Sequence, residues 1–359
     1  MRYASIDLLR TVAIVLMVIV HFMENLSGVG WAPAGFGAPL FAFLAGVSFR
    51  ILLNSQEQKG TPDGDITRTA VRRGLFLFAL GFVFNVCVWL PEDTFNWDVL
   101  TMIGTALVFL GVFRRLPPVV LAATAGTLVV LSPFLRTQAD YLSYWGDDYF
   151  QCDWNASDVT IGYLATGYFP LFPWAAFPIV GYLAGRVVFP ADRAEGPVKP
   201  LAVAGGVFVL LAVLCDVGHR LLPAPISTKL LTGWTMFPAS SEYVCGTLGG
   251  ALLGFAALLV WVDRRNGLAK LPWVTTAAGT MSRHSLGIYL LHHALHLWPL
   301  WVYGTVAGDE PTAFWRHAMP AWAAVALVPV CLAVCYLLFR AAERWKWPTV
   351  EGFMRWLCG

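Results

Sequence analysis

Residues 2–25 read RYASIDLLRTVAIVLMVIVHFMEN, and this stretch decides the fold. A run so apolar is a membrane helix, yet it carries Asp7 and Arg10 near one end and His21, Glu24 and Asn25 near the other. Ionisable groups at membrane depth are costly and mark functional sites. On a helix, Asp7 and Arg10 share a face, as do His21, Glu24 and Asn25. The step from Arg10 to His21 corresponds to roughly 16 Å of axial rise. One helix thus bears a charged pair near one membrane surface and an acid/base group well across towards the other.

The rest of the chain agrees with a membrane setting. Of 359 residues, 58% are hydrophobic and only 13% charged, which excludes an ordinary soluble domain. Further apolar runs follow at once, so the first is read as a retained helix and not a cleaved signal. Apolar segments recur near 5–25, 34–53, 74–90, 97–113, 117–135, 167–189, 200–222, 241–262, 275–302 and 317–340. They predict an all-α polytopic bundle of about ten transmembrane helices, forming a single transmembrane domain over residues 1–359. With the N-terminus cytoplasmic, almost every Arg and Lys falls on the inner side, leaving Arg136, Arg220, Lys229 and Arg316 outside. Both termini are therefore expected in the cytoplasm. Cys87, Cys215, Cys245, Cys331 and Cys335 sit in apolar runs without CxxC spacing and read as small buried residues.

Polar residues concentrate in a few places. Arg68, Arg72 and Arg73 lead into the third span from a loop near 54–73, with Arg68 and Arg72 on one helical face. They suit a multiply phosphorylated ligand, because guanidinium binds phosphate bidentately, but topology marking alone also explains them. The long outer loop near 136–166 interleaves Trp145 with Asp147 and Asp148, an arrangement that fits a sugar or an amine. An interfacial aromatic belt accounts for it equally well. In the sixth span, Pro170 and Pro173 predict a broken helix ahead of Trp174, with freed backbone groups that need partners. Gly181 and Gly185, four apart, permit close helix packing, and such Gly-rich faces also permit a homodimer. The ninth span holds Tyr289, His292, His293 and His296, with His292 and His296 on one face above Tyr289. A His-x-x-x-His pair can bind zinc, but no third ligand has a recognisable spacing, so no metal is expected. Histidines hydrogen-bonded between helices are the structural alternative.

In combination, Ser5-Ile-Asp7-Leu-Leu-Arg10, the apolar run ending at His21, and Pro39-Leu-Phe-Ala-Phe-Leu-Ala-Gly46-Val-Ser48 resemble the catalytic domain of the heparan-α-glucosaminide N-acetyltransferase family. Phe169-Pro-Leu-Phe-Pro173-Trp174, Gly181-Tyr-Leu-Ala-Gly185-Arg186 and Ser285-Leu-Gly-Ile-Tyr289-Leu-Leu-His292 continue the resemblance in the family's order. Inner-membrane type 3 acyltransferases are also similar, with a first helix that contains Arg and ends in His. The animal glucosaminide enzymes carry Asn at the position of His21, which matches the type 3 enzymes instead.

The resemblance implies transfer of an acyl group, usually acetyl, from cytoplasmic acyl-CoA to a sugar amine or hydroxyl across the membrane. Acyl-CoA is then a co-substrate and the bacterial inner membrane the expected location, with no nucleic-acid partner. An alcohol or amine attacking a thioester needs a base to take its proton, and His suits that task near neutral pH. The expected base is His21, oriented by Glu24 or Asn25. His292 and Tyr289 are expected to polarise the thioester carbonyl or bind the acceptor. Arg10, Arg68, Arg72 and Arg73 are expected to hold the CoA phosphates, and Asn25, Trp145, Asp147, Asp148 and Trp174 to bind the substrate. A transporter or exporter of a small glycan or lipid-linked intermediate, lined by the same residues, is the alternative, and a non-catalytic scaffold a third.

Overall fold

The computed structural model describes residues 2–146, 149–190 and 196–359. The expected all-α architecture is present, with one two-residue antiparallel pairing, Trp145–Gly146 with Tyr149–Phe150, as its sheet among the described residues. In chain order the helices are α1 (Ala4–Ser27), α2 (Gly37–Gln58), α3 (Asp63–Val88), α4 (Val99–Phe113) and α5 (Pro118–Gln138). Then come α6 (Ala156–Ile161), α7 (Leu171–Trp174), α8 (Ala176–Val188), α9 (Lys199–Leu221) and α10 (Ala224–Lys229). The last five are α11 (Ser241–Leu258), α12 (Pro272–Arg283), α13 (Ser285–Ala307), α14 (Ala321–Trp345) and α15 (Val350–Cys358). Among the described residues, nine helices or helical runs are long and apolar enough to cross a membrane, so the chain is an integral membrane protein.

Two boundaries differ from expectation. The segment 275–302 is not one helix, because the chain breaks at His284 (φ −109°, ψ 26°) between α12 and α13. The loop near 54–73 is largely helical, so Arg68, Arg72 and Arg73 stand on the first turns of α3. Cys245, Cys331 and Cys335 are buried as expected, whereas Cys87 is exposed and Cys215 half-buried, on helix faces that lipid would cover.

The chain forms two compact units, 42–260 and 2–41 with 261–357. In the first, α3 pairs with α4, α9 with α11 and α5 with α8. Phe49, Leu53, Ile66, Leu110, Leu121 and Tyr182 anchor one apolar core. Helices α2 and α8 meet backbone to backbone, with Gly46 against the Pro178 carbonyl and Gly181 against the Phe43 carbonyl. Arg114, at the end of α4, is buried and paired with Asp63, and donates to Thr67 Oγ1 at 2.7 Å. The proline-rich segment breaks the helix where expected: a π-helical turn at Gly162–Thr166 gives way to extended backbone before α7. The freed amides of Tyr168 and Phe169 donate to the carbonyls of Asn96 and Trp97, at 3.2 and 3.0 Å.

In the second unit, α12, α13 and α14 pack around α1. The Asp263 carboxylate accepts from the amides of Ala4 and Ser5, at 3.0 and 3.4 Å. It thereby caps the start of α1, where Tyr3 provides no side-chain cap. Asp263→Ala is expected to lower stability by about 1 kcal/mol, as loss of a helix cap does, with Asp263→Asn recovering part of it; thermal unfolding in detergent measures both. Gly28 closes α1 in the left-handed region (φ 69°), against the Arg316 carbonyl. The amides of Arg316 and Met319 donate to the carbonyls of Asn25 and Leu26, at 2.7 and 3.0 Å. At the start of α13, Glu351 of α15 accepts from the Gly287 amide at 2.8 Å, and His284 stacks on Phe339.

Candidate active site

The polar ends of α1 both find partners within the second unit. Near its start, Arg2 donates to Asp7 at 2.6 Å, and Arg10 donates to Ser282 Oγ at 2.8 Å. The sequence reading paired Asp7 with Arg10 on a common face; the contacts add Arg2 to one and the end of α12 to the other. Arg10 is thus held against Ser282 in this unit, while Arg68, Arg72 and Arg73 belong to the first. Arg68 and Arg72 are exposed, and Arg68 lies 3.9 Å from Asp65.

At the other end of α1, His21 meets α13. Its ring centroid lies 4.3 Å from that of His293 and 5.4 Å from that of His292. His292 and His293 are fully buried, whereas His21 is half-buried and is the member of the group that reaches the accessible surface. Tyr289 flanks them, 5.4 Å from His293 and 6.0 Å from His292 between ring centroids. His296 stays with His292 as its spacing predicts, with stacked rings 5.9 Å apart between centroids, and also reaches Asn25: its Nε2 lies 3.0 Å from Asn25 Nδ2, and its ring packs on Phe22. Asn25 therefore positions His296, while Glu24 is exposed and close to the charge of Arg316.

The backbone sets the histidine tautomers. Nδ1 of His292, His293 and His296 lies 2.9, 3.1 and 2.6 Å from the carbonyl oxygens of Ile288, Tyr289 and His292. A carbonyl can only accept, so each Nδ1 carries a proton and donates, and in the neutral ring each Nε2 presents a lone pair. The Asn25 amide donates to the Nε2 of His296, whereas that of His292 is buried without a hydrogen-bond partner. The site is a cluster of imidazoles in which one ring nitrogen each of His21, His292 and His293 lie within 4.8 Å of one another, suited to taking a proton or holding a cation.

The outer-loop residues lie in the first unit. Trp145 donates from Nε1 to the Thr166 carbonyl at 2.9 Å, and its faces stack on Tyr141 and Phe237. Trp174 is fully buried among Phe169, Phe177 and Tyr243. Both belong to an aromatic block around buried Arg136, which donates to the Ala239 carbonyl at 2.7 Å. The cavity lined by Arg136, Tyr141 and Trp174 measures about 10 Å³, room for one water. Carboxylates near the loop are tied to tyrosines: Tyr149 donates to Asp93 at 2.6 Å and Tyr144 to Asp158 at 3.0 Å. Burial, with Asp158 beside it, pushes the Tyr144 phenol up to about 12, so it remains a donor. Asp147 and Asp148 lie outside the described residues.

Sequence reasoning singled out His21, His292 and Tyr289 but passed over His293, whose position next to His292 puts it on a different helical face. Only the approach of α1 reveals it, because both rings turn towards His21. No curated protein matches the chain closely enough to be named as a relative. Residues 2–216, well over half of the chain, match the family model described as heparan-alpha-glucosaminide N-acetyltransferase, catalytic, and the chain belongs to that acetyltransferase family.

Proposed function

We propose that the protein moves an acyl group, acetyl in the first instance, from acyl-CoA at the cytoplasmic face to an amine or hydroxyl of a sugar or glycan presented on the other side. The observation that carries this reading is the meeting of His21 with His292 and His293 at the far end of α1 from Arg10. In the reaction, the acceptor nitrogen or oxygen attacks the thioester carbon and the C–S bond breaks. His21, the accessible imidazole, takes the acceptor's proton and returns it to the departing thiolate. Tyr289 and His292, with ring centroids 6.0 Å apart, are the groups assigned to polarise the thioester carbonyl or bind the acceptor, and Asn25 holds His296 beside them. Arg68, Arg72 and Arg73 supply positive charge for the CoA phosphates, and the bacterial inner membrane is the expected setting.

The test is acetyl transfer from acetyl-CoA to a glucosamine-type acceptor by purified protein in proteoliposomes. Arg68→Ala combined with Arg72→Ala is expected to raise KM for acetyl-CoA about tenfold with little change in kcat, and to reduce the salt dependence of KM. An unchanged KM removes the phosphate role. Flux of the glycan without an acyl donor, and no transfer with one, would replace the acyltransferase by a transporter.

A further inference from the structure

We propose that His21, His292 and His293 form a three-histidine site for a divalent transition metal of the zinc class, with its fourth position open. One ring nitrogen from each residue falls within a group whose members all lie within 4.8 Å of one another. Tetrahedral Zn–N bonds of about 2.0–2.1 Å require neighbouring nitrogens roughly 3.3 Å apart, so modest side-chain rotation closes the group on an ion.

Three features distinguish this arrangement from histidines that merely pack. The Nδ1–H groups of His292 and His293 donate to the carbonyls of Ile288 and Tyr289, the outer-shell bond that orients metal-bound imidazoles and fixes the tautomer. The Nε2 of His292 is completely buried without a hydrogen-bond partner, a costly state that a metal bond resolves. His296 is excluded because its Nε2 already accepts from Asn25, so the ligands come from neighbouring positions on α13 and from α1, not from the His-x-x-x-His pair. The third ligand that spacing along the sequence did not supply comes from a different helix.

An all-imidazole donor set favours zinc, cobalt, nickel or copper over magnesium and calcium, which take oxygen ligands. A facial set of three nitrogens with an open position fits four-coordinate zinc or cobalt in particular. The lone pairs that would hold the ion include the one His21 needs as a base. The metal-loaded form is therefore a non-transferring state, relieved by a chelator.

The experiment uses the tag-free full chain in detergent, stripped by chelator and titrated with Co²⁺. About one cobalt per chain, the intense visible d–d bands of a four-coordinate ion, and their loss on adding Zn²⁺ are expected. His292→Gln and His293→Gln, which remove ligands, are expected to weaken binding by more than the roughly 10–100-fold that loss of an outer-shell partner costs and to abolish the intense bands, while His219→Gln, in the first unit, leaves both unchanged. Stoichiometry far below one, weak octahedral-type bands, or equal binding by all three variants overturns the site. The wild-type titration decides on its own if a variant does not fold. No measurement reads acyl transfer, so failure of the metal site and failure of the acyltransferase reading remain distinguishable.

Discussion

Replacing His21 with alanine is expected to slow acyl transfer by about 10²–10⁴-fold, the range that a positioned general base contributes. The loss should fall on kcat and on kcat/KM for both substrates alike, because the proton moves only in the transition state. KM for acyl-CoA should barely change, since the arginines assigned to its phosphates stand on α3. His21 is half-buried and touches its neighbours through ring contacts alone among the described interactions, so the variant should fold with a penalty of about 1 kcal/mol or less. That separates it from His292→Ala, which removes a fully buried ring and should affect stability as well as rate. His21→Gln, which preserves size and polarity but provides no base, should be as slow as His21→Ala. If His21→Gln transferred acetyl at the wild-type rate, the proton would have to go elsewhere, and the buried Nε2 of His292 would be the next group to test.

How much of this was legible in the sequence follows from what periodicity encodes. It assigns residues to faces of one helix, so the polar ends of α1 and the break at Pro170 and Pro173 could be read directly. Proline removes an amide donor and leaves its partners unpaired wherever it stands. Periodicity does not say which helices meet. The bond between Asn25 and His296 joins residues 271 apart, and no local rule connects them. His293 was missed for the same reason, because its significance comes from α1 and not from its own helix. The two-residue step from Ser282 to His284 hid a helix break inside an apolar run, since His284 ends α12 without a proline or glycine to mark it. Gly181 and Gly185 announced a close helix contact, but their spacing could not name the partner, which is α2 through Phe43 and Arg50.

That contact gives the second large effect. Gly46→Ala is expected to destabilise the protein by about 3 kcal/mol or more, while Gly206→Ala, the same change in another helix, should stabilise it by about 0.4–1 kcal/mol. A Cβ on Gly46 would overlap the Pro178 carbonyl oxygen and stand 2.7 Å from the Tyr182 amide nitrogen. Both obstacles are backbone, so no rotamer change relieves them and α2 must move away from α8. Separation would also open the facing contact, in which Gly181 admits the Phe43 carbonyl, and loosen the packing of Gly185 on Arg50. Close approach of small residues is what holds helices together in lipid, where burial from water contributes little between them. Around Gly206 nothing lies within 4 Å of the added carbon, so alanine there meets no neighbour and only restricts the unfolded chain. Unfolding of the two variants in mixed detergent measures the difference. Were both changes stabilising, glycine at position 46 would be an ordinary helix residue and the α2–α8 contact would not depend on backbone approach. Opposite signs from one chemical substitution isolate that approach from glycine's general effect on helix propensity.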